Sequence, residues 1–95
     1  MSQFLLVFRV HAIQRMFQRG VSEEEVKQVV AVGETIETYP DDKPFLSRLM
    51  LGWSGSRPVH VVVADNVAAQ EAIIITVYQP DAEEWEADCR RRKRR

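Results

Sequence analysis

The segment 71–78 (EAIIITVY) constrains the fold of this chain more than any other part of the sequence. After Glu71, six of the seven residues are apolar or aromatic, and Thr76 is the exception. Such a run has no polar face, which predicts a strand covered on both sides, in the interior of a sheet rather than at its edge. Because Pro80 cannot donate to a strand ladder, we expect the strand to end before it.

Two helices are predicted upstream of this strand. Residues 11–19 place apolar side chains at spacings of three and four, which is typical of an amphipathic helix, and Gly20 stops that helix. Its predicted buried stripe comprises Ala12, Ile13, Met16 and Phe17. Ser22 and Glu25 form the capping box of a second helix, which ends at Gly33. Residues 4–10 (FLLVFRV) predict a first strand, with an opening helical turn as the alternative.

Strands dominate the second half of the chain. Alternating or β-branched stretches between turn residues predict strands at 35–39, 46–53 and 59–64, followed by 71–78. Short loops between sequential strands indicate an antiparallel meander. Asp81 and Glu84 have the spacing of a helix cap, so a C-terminal helix is predicted from about Ala82, with Trp85 packing on the sheet.

The order of these elements predicts the fold class. Because helices precede most of the strands, we predict one α+β domain over residues 1–95. It consists of an N-terminal strand and a helical hairpin packed on an antiparallel four-stranded sheet, with a C-terminal helix.

Length and composition exclude several classes of protein. With 95 residues, 45% of them hydrophobic and 28% charged, the chain is typical of one soluble globular domain. No apolar run approaches the roughly 20 residues of a membrane helix, and the start does not have the pattern of a secretory signal. The single cysteine, Cys89, fits a reducing cytoplasm. Together with His11 and His60 it makes too few ligands for a zinc site, so no metal and no cofactor are predicted.

The charge is distributed unevenly along the chain. Residues 90–95 (RRRKRR) carry six positive charges, whereas the other 89 residues hold 7 basic and 14 acidic side chains. Two interpretations stay open. Arg90, Arg91 and Arg92 bind phosphates of RNA, or the tail is a solvated helix end whose charges suit the negative pole of the helix dipole. The acidic body favours the second interpretation, because it opposes general adhesion to nucleic acid.

Two groups of side chains are candidates for chemistry. His11, Arg15 and Arg19 recur every four residues, so they line one helix face, either as a cationic, proton-transferring stripe or as an ordinary solvated surface. His60 lies in a valine-rich strand and Tyr78 ends the apolar strand. The pairing register decides whether these two side chains share a face, because a one-residue slip moves every side chain to the other side. A lone histidine in such a strand is more often structural, and Cys89 is expected to pack rather than react.

Four motifs match the pattern of a known group of small proteins. They are HAIQRMFQRGVS at residues 11–22, Gly33-Glu34 with Tyr39-Pro40, His60-Val61-Val62, and TVYQPD followed by Trp85. In these motifs the chain resembles a family of small bacterial and archaeal proteins identified as a domain of unknown function. That family is grouped with the RelE-, ParE- and BrnT-like toxins.

The resemblance implies a fold, partners and an activity. The fold would be a helical hairpin against a curved antiparallel sheet. A small antitoxin protein would be encoded nearby, as in a type II toxin-antitoxin module. The better known relatives cleave messenger RNA without a metal, often on the ribosome, whereas the ParE-like branch poisons gyrase.

Metal-free RNA cleavage needs a base, an acid and a cation for the phosphorus centre. His11 or His60 would be the base or acid, since histidine titrates near neutrality. Tyr78 would orient the scissile phosphate or stack on a base. Phosphate would be held by the two-pronged contact of a guanidinium from Arg15, Arg19 or Arg48.

Three hypotheses about function follow. The first is a toxin-like endoribonuclease, which requires the catalytic candidates His11, Arg15, Arg19, His60 and Tyr78 to converge on one concave face. The second is a non-catalytic module that binds a partner, of the gyrase-poison type or another protein-interaction type. The third is a structural domain that forms a homodimer.

Overall fold

The structure is a computed structural model that describes residues 4–94, and in this range it contains two helices and a five-stranded mixed sheet. The elements, in chain order, are β1 (Leu5–Phe8), α1 (Val10–Arg19), α2 (Glu23–Val32), β2 (Glu34–Tyr39), β3 (Ser47–Ser54), β4 (Arg57–Asn66) and β5 (Glu71–Tyr78). The sheet order is β1-β5-β4-β3-β2. The apolar strand β5 therefore lies inside the sheet, as its sequence predicts.

The predicted four-stranded antiparallel sheet is wrong, because β1 joins the sheet as a fifth strand. It pairs in parallel with β5, from Leu5 opposite Glu71 to Phe8 opposite Ile74, while the other neighbouring strands pair antiparallel. The reason is the connection that follows β1. Both helices cross one face of the sheet and carry the chain to β2 at the far edge, which leaves β1 beside β5. There β1 satisfies backbone groups of β5 that would otherwise lack partners.

The predicted C-terminal helix is also wrong. Residues 81–94, called the C-terminal segment below, form turns and a short reversal in which Trp85 bridges to Arg92. One helical bond forms, from Trp85 N–H to the Asp81 carbonyl, but the Glu86 N–H then bonds the Arg91 carbonyl at 2.8 Å. Cys89 adopts φ +60°, a left-handed conformation that reverses the chain. The basic residues therefore fold back over Trp85 instead of continuing a helix. Arg95 lies outside the described residues.

Both helices pack on one face of the sheet and form the main core with it. Ala12 and Met16 of α1 and Val26 and Val29 of α2 are buried there. The sheet contributes Met50, Val59, Val61, Val63, Ala72, Ile74 and Val77. The predicted stripe of α1 is only half right, because Ile13 and Phe17 are 52% and 89% exposed.

Two glycines let α2 lie close to the sheet. A Cβ added at Gly52 of β3 would lie 2.5 Å from Cγ2 of Val29 and 3.1 Å from its Cα. Gly33 ends α2 in an extended conformation (φ −75°), and a Cβ there would lie 2.4 Å from the Val29 carbonyl oxygen. Close backbone approach thus requires glycine at both positions, whereas Gly20 ends α1 in the left-handed conformation usual for helix caps.

Arg57, at the start of β4, fixes the turn between the helices. Its guanidinium donates to the carbonyls of Arg19 and Gly20 and to the carboxylate of Glu25. The backbone N–H of Ser22 above all, followed by Ser54 and Arg57, holds the pKa of Glu25 at about 2. The capping box predicted for α2 is present and carries this added ion pair.

We expect Gly52→Ala to destabilise the fold by about 1–3 kcal/mol, because the new methyl group overlaps Val29 unless α2 moves away. Urea unfolding of the two proteins measures the difference. Ser56→Ala, an exposed change two residues past the end of β3, is the control and should stay within about 0.5 kcal/mol of the parent. A Gly52→Ala protein as stable as the parent would show that α2 is not held this close to β3.

Candidate functional site

The sheet divides the predicted catalytic residues into two groups. His11, Arg15 and Arg19 lie on α1, where His11 and Arg19 are exposed and Arg15 is half-buried. His60 and Tyr78 lie on the opposite face of the sheet, because side chains alternate along a strand and the neighbours Val59 and Val61 face the helices. The structure therefore brings three of the five residues together on α1 and the other two together on the opposite face of the sheet. The two histidines are separated.

The register places His60 and Tyr78 on the same face. They are paired directly across β4 and β5, and their ring centroids are 5.2 Å apart at an interplanar angle of 74°. The C-terminal segment covers the ring of His60 from outside the sheet. Its Trp85 lies edge-on to His60, with 4.5 Å between centroids. His60 is consequently fully buried, and Trp85 is 3% exposed.

The hydrogen bond of His60 fixes its tautomer. Nε2 lies 2.8 Å from the carbonyl oxygen of Cys89, and because a carbonyl only accepts, Nε2 carries the hydrogen. Nδ1 is then an unprotonated acceptor, and it has no hydrogen-bond partner within residues 4–94. Burial lowers the pKa of His60, against the smaller opposing effect of the Cys89 carbonyl. Burial likewise raises the pKa of Tyr78, so both side chains are held neutral.

Outside α1, the arginines predicted to bind phosphate are paired with carboxylates. Arg48 makes a two-pronged contact with Asp65, at 2.9 and 3.3 Å, and also donates to Thr35 at 3.2 Å. In the C-terminal segment, Arg90 bonds Glu34 at 2.7 Å and Arg91 bonds Asp88 at 3.3 Å.

Arg92 differs from these arginines because it also contacts an aromatic ring. Its guanidinium lies 4.6 Å from the centre of the Trp85 ring and 3.9 Å from Glu37. Arg48 and the predicted phosphate-binding arginines of the C-terminal segment are thus engaged inside the chain rather than presented together, unlike Arg15 and Arg19 on α1.

A groove beside Arg48 forms a large concave surface, with a volume of about 1040 Å³. It lies on the helix side, between α2, the loop before β3 and the loop after β4. Four polar residues line it: Lys27, Arg48, Asp65 and Asn66. The other ten are apolar: Phe4, Leu6, Val30, Ala31, Pro44, Phe45, Leu46, Val67, Ala68 and Ala72. Sequence reasoning missed it, although the apolar pair Phe45-Leu46 after a proline-rich turn and the run Val67–Ala69 were available signals.

A second exposed apolar surface runs along α1. Val10, Ile13 and Phe17 are spaced by three and four residues, so they form one stripe, and they are 71%, 52% and 89% exposed. His11, Arg15 and Arg19 lie on the other flank of the same helix. The exposed side of α1 is therefore apolar along one flank and cationic along the other.

In residues 4–94, no three His, Cys, Asp or Glu side chains gather as metal ligands. None of the helices in this range has the length and hydropathy needed to cross a membrane.

Comparison with known proteins adds a family. Residues 8–79 match the sequence profile of a family described as Domain of unknown function (DUF4258). The chain belongs to the DUF4258 family. No curated protein and no solved structure matches the chain. The DUF4258 match includes the groove lining from β3 to β5, His60 and Tyr78, and it ends just before the C-terminal segment.

The buried ring of His60 should make the stability of this DUF4258 domain depend on pH. Its pKa is lowered in the folded chain, so as pH falls the unfolded chain takes up the proton first, and folding loses free energy below the ordinary value of 6.5. The loss is up to about 1.4 kcal/mol per pH unit. We expect His60→Phe to lack this slope between about pH 7 and about pH 5.5 in urea unfolding.

His11→Gln is the matched control for this measurement. The ring of His11 lies in solvent in the folded chain, so removing it should leave the slope unchanged. A slope that persists in His60→Phe and disappears in His11→Gln would contradict the burial of His60.

Proposed function

We propose that this DUF4258 domain is a toxin-type module of the RelE-, ParE- and BrnT-like kind that acts by binding a protein partner rather than by cutting RNA. The observation that carries the proposal is the groove of about 1040 Å³ on the helix side. Large, mostly apolar concave surfaces with a few polar groups are the usual location of binding sites. A helical hairpin packed on a sheet, as the resemblance implies, supports the kinship.

The lining of the groove indicates what kind of partner fits. Its volume is at the upper limit of small-molecule sites, which reach about 1,000 Å³, so a peptide segment is the better match. Arg48 and Asp65 neutralise each other, so this wall has no net charge. The expected occupant is therefore one face of an amphipathic helix or strand that inserts two or three bulky apolar side chains.

The positions of His11 and His60 argue against RNA cleavage that uses both imidazole rings. Acid–base catalysis requires each group to reach the reacting atoms directly or through one water. His60 is buried under the C-terminal segment, and His11 is exposed on the other side of the sheet. One substrate phosphate therefore has no access to both rings in this conformation.

Induced expression in a bacterium tests the proposal, with growth rate as the readout. We expect the parent chain to arrest growth and co-expression of the neighbouring antitoxin gene to relieve the arrest. Leu46→Glu with Val67→Glu should abolish the arrest, because two carboxylates would enter the apolar groove. Both side chains are more than half exposed, so the fold should tolerate the change.

Phe17→Glu is the matched control, since it places a carboxylate at an exposed apolar position of α1 outside the groove. This variant should still arrest growth. Arrest that survives the double groove substitution, or an absence of arrest by the parent chain, would contradict the proposal. Equal abundance of the variants in the cells is checked by immunoblot.

RNA cleavage centred on α1 is the second candidate function. The observation that favours it is the cationic flank of His11, Arg15 and Arg19 in a region, residues 1–22, that has no acidic residue. Purified protein incubated with messenger RNA in a chelator tests it. Cleavage that is lost in His11→Ala and in Arg15→Ala would favour this candidate over partner binding.

A further inference from the structure

The C-terminal segment is a self-contained unit placed on the sheet. Every backbone-to-backbone hydrogen bond that residues 81–94 make within the described chain stays inside the segment. The Trp85 N–H bonds the Asp81 carbonyl at 2.9 Å, and the Lys93 N–H bonds the Glu84 carbonyl at 2.8 Å. Units that are bonded internally and weakly to their surroundings open separately from the rest of a fold.

Packing and charge both hold the segment against the sheet. Trp85 packs on His60. Among the described residues, one hydrogen bond joins the sheet to the segment apart from the ion pairs, and the Cys89 carbonyl accepts it from His60. Two ion pairs add to this packing, Arg90–Glu34 and Arg92–Glu37, and their side chains are about half exposed. Exposed ion pairs contribute little to stability and weaken in salt.

Closure of the segment leaves hydrogen-bonding capacity unused. Nδ1 of His60 is buried and lacks a hydrogen bond within residues 4–94, and the buried Oε2 of Glu37 has the Arg92 ion pair at 3.9 Å but no hydrogen bond. Water could bond both atoms once the segment opens, so each one favours the open state. Cys89 also holds a left-handed conformation (φ +60°), which disfavours residues with a Cβ. These costs offset the burial of Trp85, so the balance between closed and open states is sensitive to the two ion pairs.

We propose that the C-terminal segment is a charge-held cover over the face that carries His60, Tyr78 and Glu37, and that a phosphate polyanion opens it by competing for Arg90 and Arg92. A chain of phosphates offers these arginines more negative charge than Glu34 and Glu37, and the neighbouring Arg91 adds to the attraction. The family match ends at residue 79, so the cover is an addition to the part of the chain that matches the family. This inference does not depend on the helix-side groove.

The single cysteine reports opening directly. Cys89 is buried and lies in the cover, so the rate of its alkylation by N-ethylmaleimide, followed by mass spectrometry, measures exposure of the segment in the intact chain. We expect poly(U) RNA at low salt to raise this rate by about tenfold, the factor given by losing two exposed ion pairs. Sodium chloride at the ionic strength of the RNA sample should raise it much less.

Substitutions separate the cover from the rest of the molecule. Glu34→Gln with Glu37→Gln should raise the alkylation rate without RNA, whereas Glu23→Gln with Glu24→Gln should not. This control pair removes the same two charges from α2, where they contact Lys27 away from the cover. Unchanged circular dichroism would show that the rest of the fold stays intact. RNA that leaves the alkylation rate unchanged, or equal rates in the two double variants, would overturn the proposal.

Discussion

The burial of β5 on both faces and both edges is the constraint on which the rest of the structure depends. Ile74 and Val77 face the helices, Tyr78 faces the C-terminal segment, and β1 and β4 pair with the two edges. A strand without a polar side needs all four neighbours, because exposed apolar surface and unpaired backbone groups both cost free energy. β1 is therefore tied to β5 directly, whereas the C-terminal segment contacts the neighbouring strand β4 through His60.

An irregularity in β5 decides which side chains meet on the second face. Val62 pairs with Thr76 but Val63 pairs with Ile74, so Ile75 is an extra residue in the ladder. This bulge lets Ile74 and Val77 both face the helices although they are three positions apart, and it puts Tyr78 opposite His60. The packing of the Tyr78, His60 and Trp85 rings thus depends on one extra residue in the ladder, Ile75.

Outside α1, the arginines predicted to bind phosphate are engaged within the chain, and this bears on which functions the geometry favours. Arg48 is occupied by Asp65, and Arg90 and Arg92 by glutamates of β2. The cationic surface on α1 contains one histidine, His11. One histidine does not supply both the base and the acid that metal-free RNA cleavage needs. The apolar groove on the helix side is left as a large accessible feature, and it suits a protein partner.

By itself, the sequence determined the helical hairpin with its capping box, the positions of β2 to β5 and the interior place of β5, because these follow from local periodicity, turn residues and apolar runs. Tertiary structure alone decided the parallel pairing of β1, since a short apolar strand has no preference for either neighbour direction. It also decided the conformation of Trp85 and of the arginines that follow it. Asp81 and Glu84 have the local spacing of a helix cap, but the packing of Trp85 on His60 and the ion pairs with Glu34 and Glu37 stabilise a different conformation. The spacing of residues in the sequence does not reveal these contacts. The groove and the separation of His11 from His60 have the same cause, because both depend on which face of the sheet each element covers.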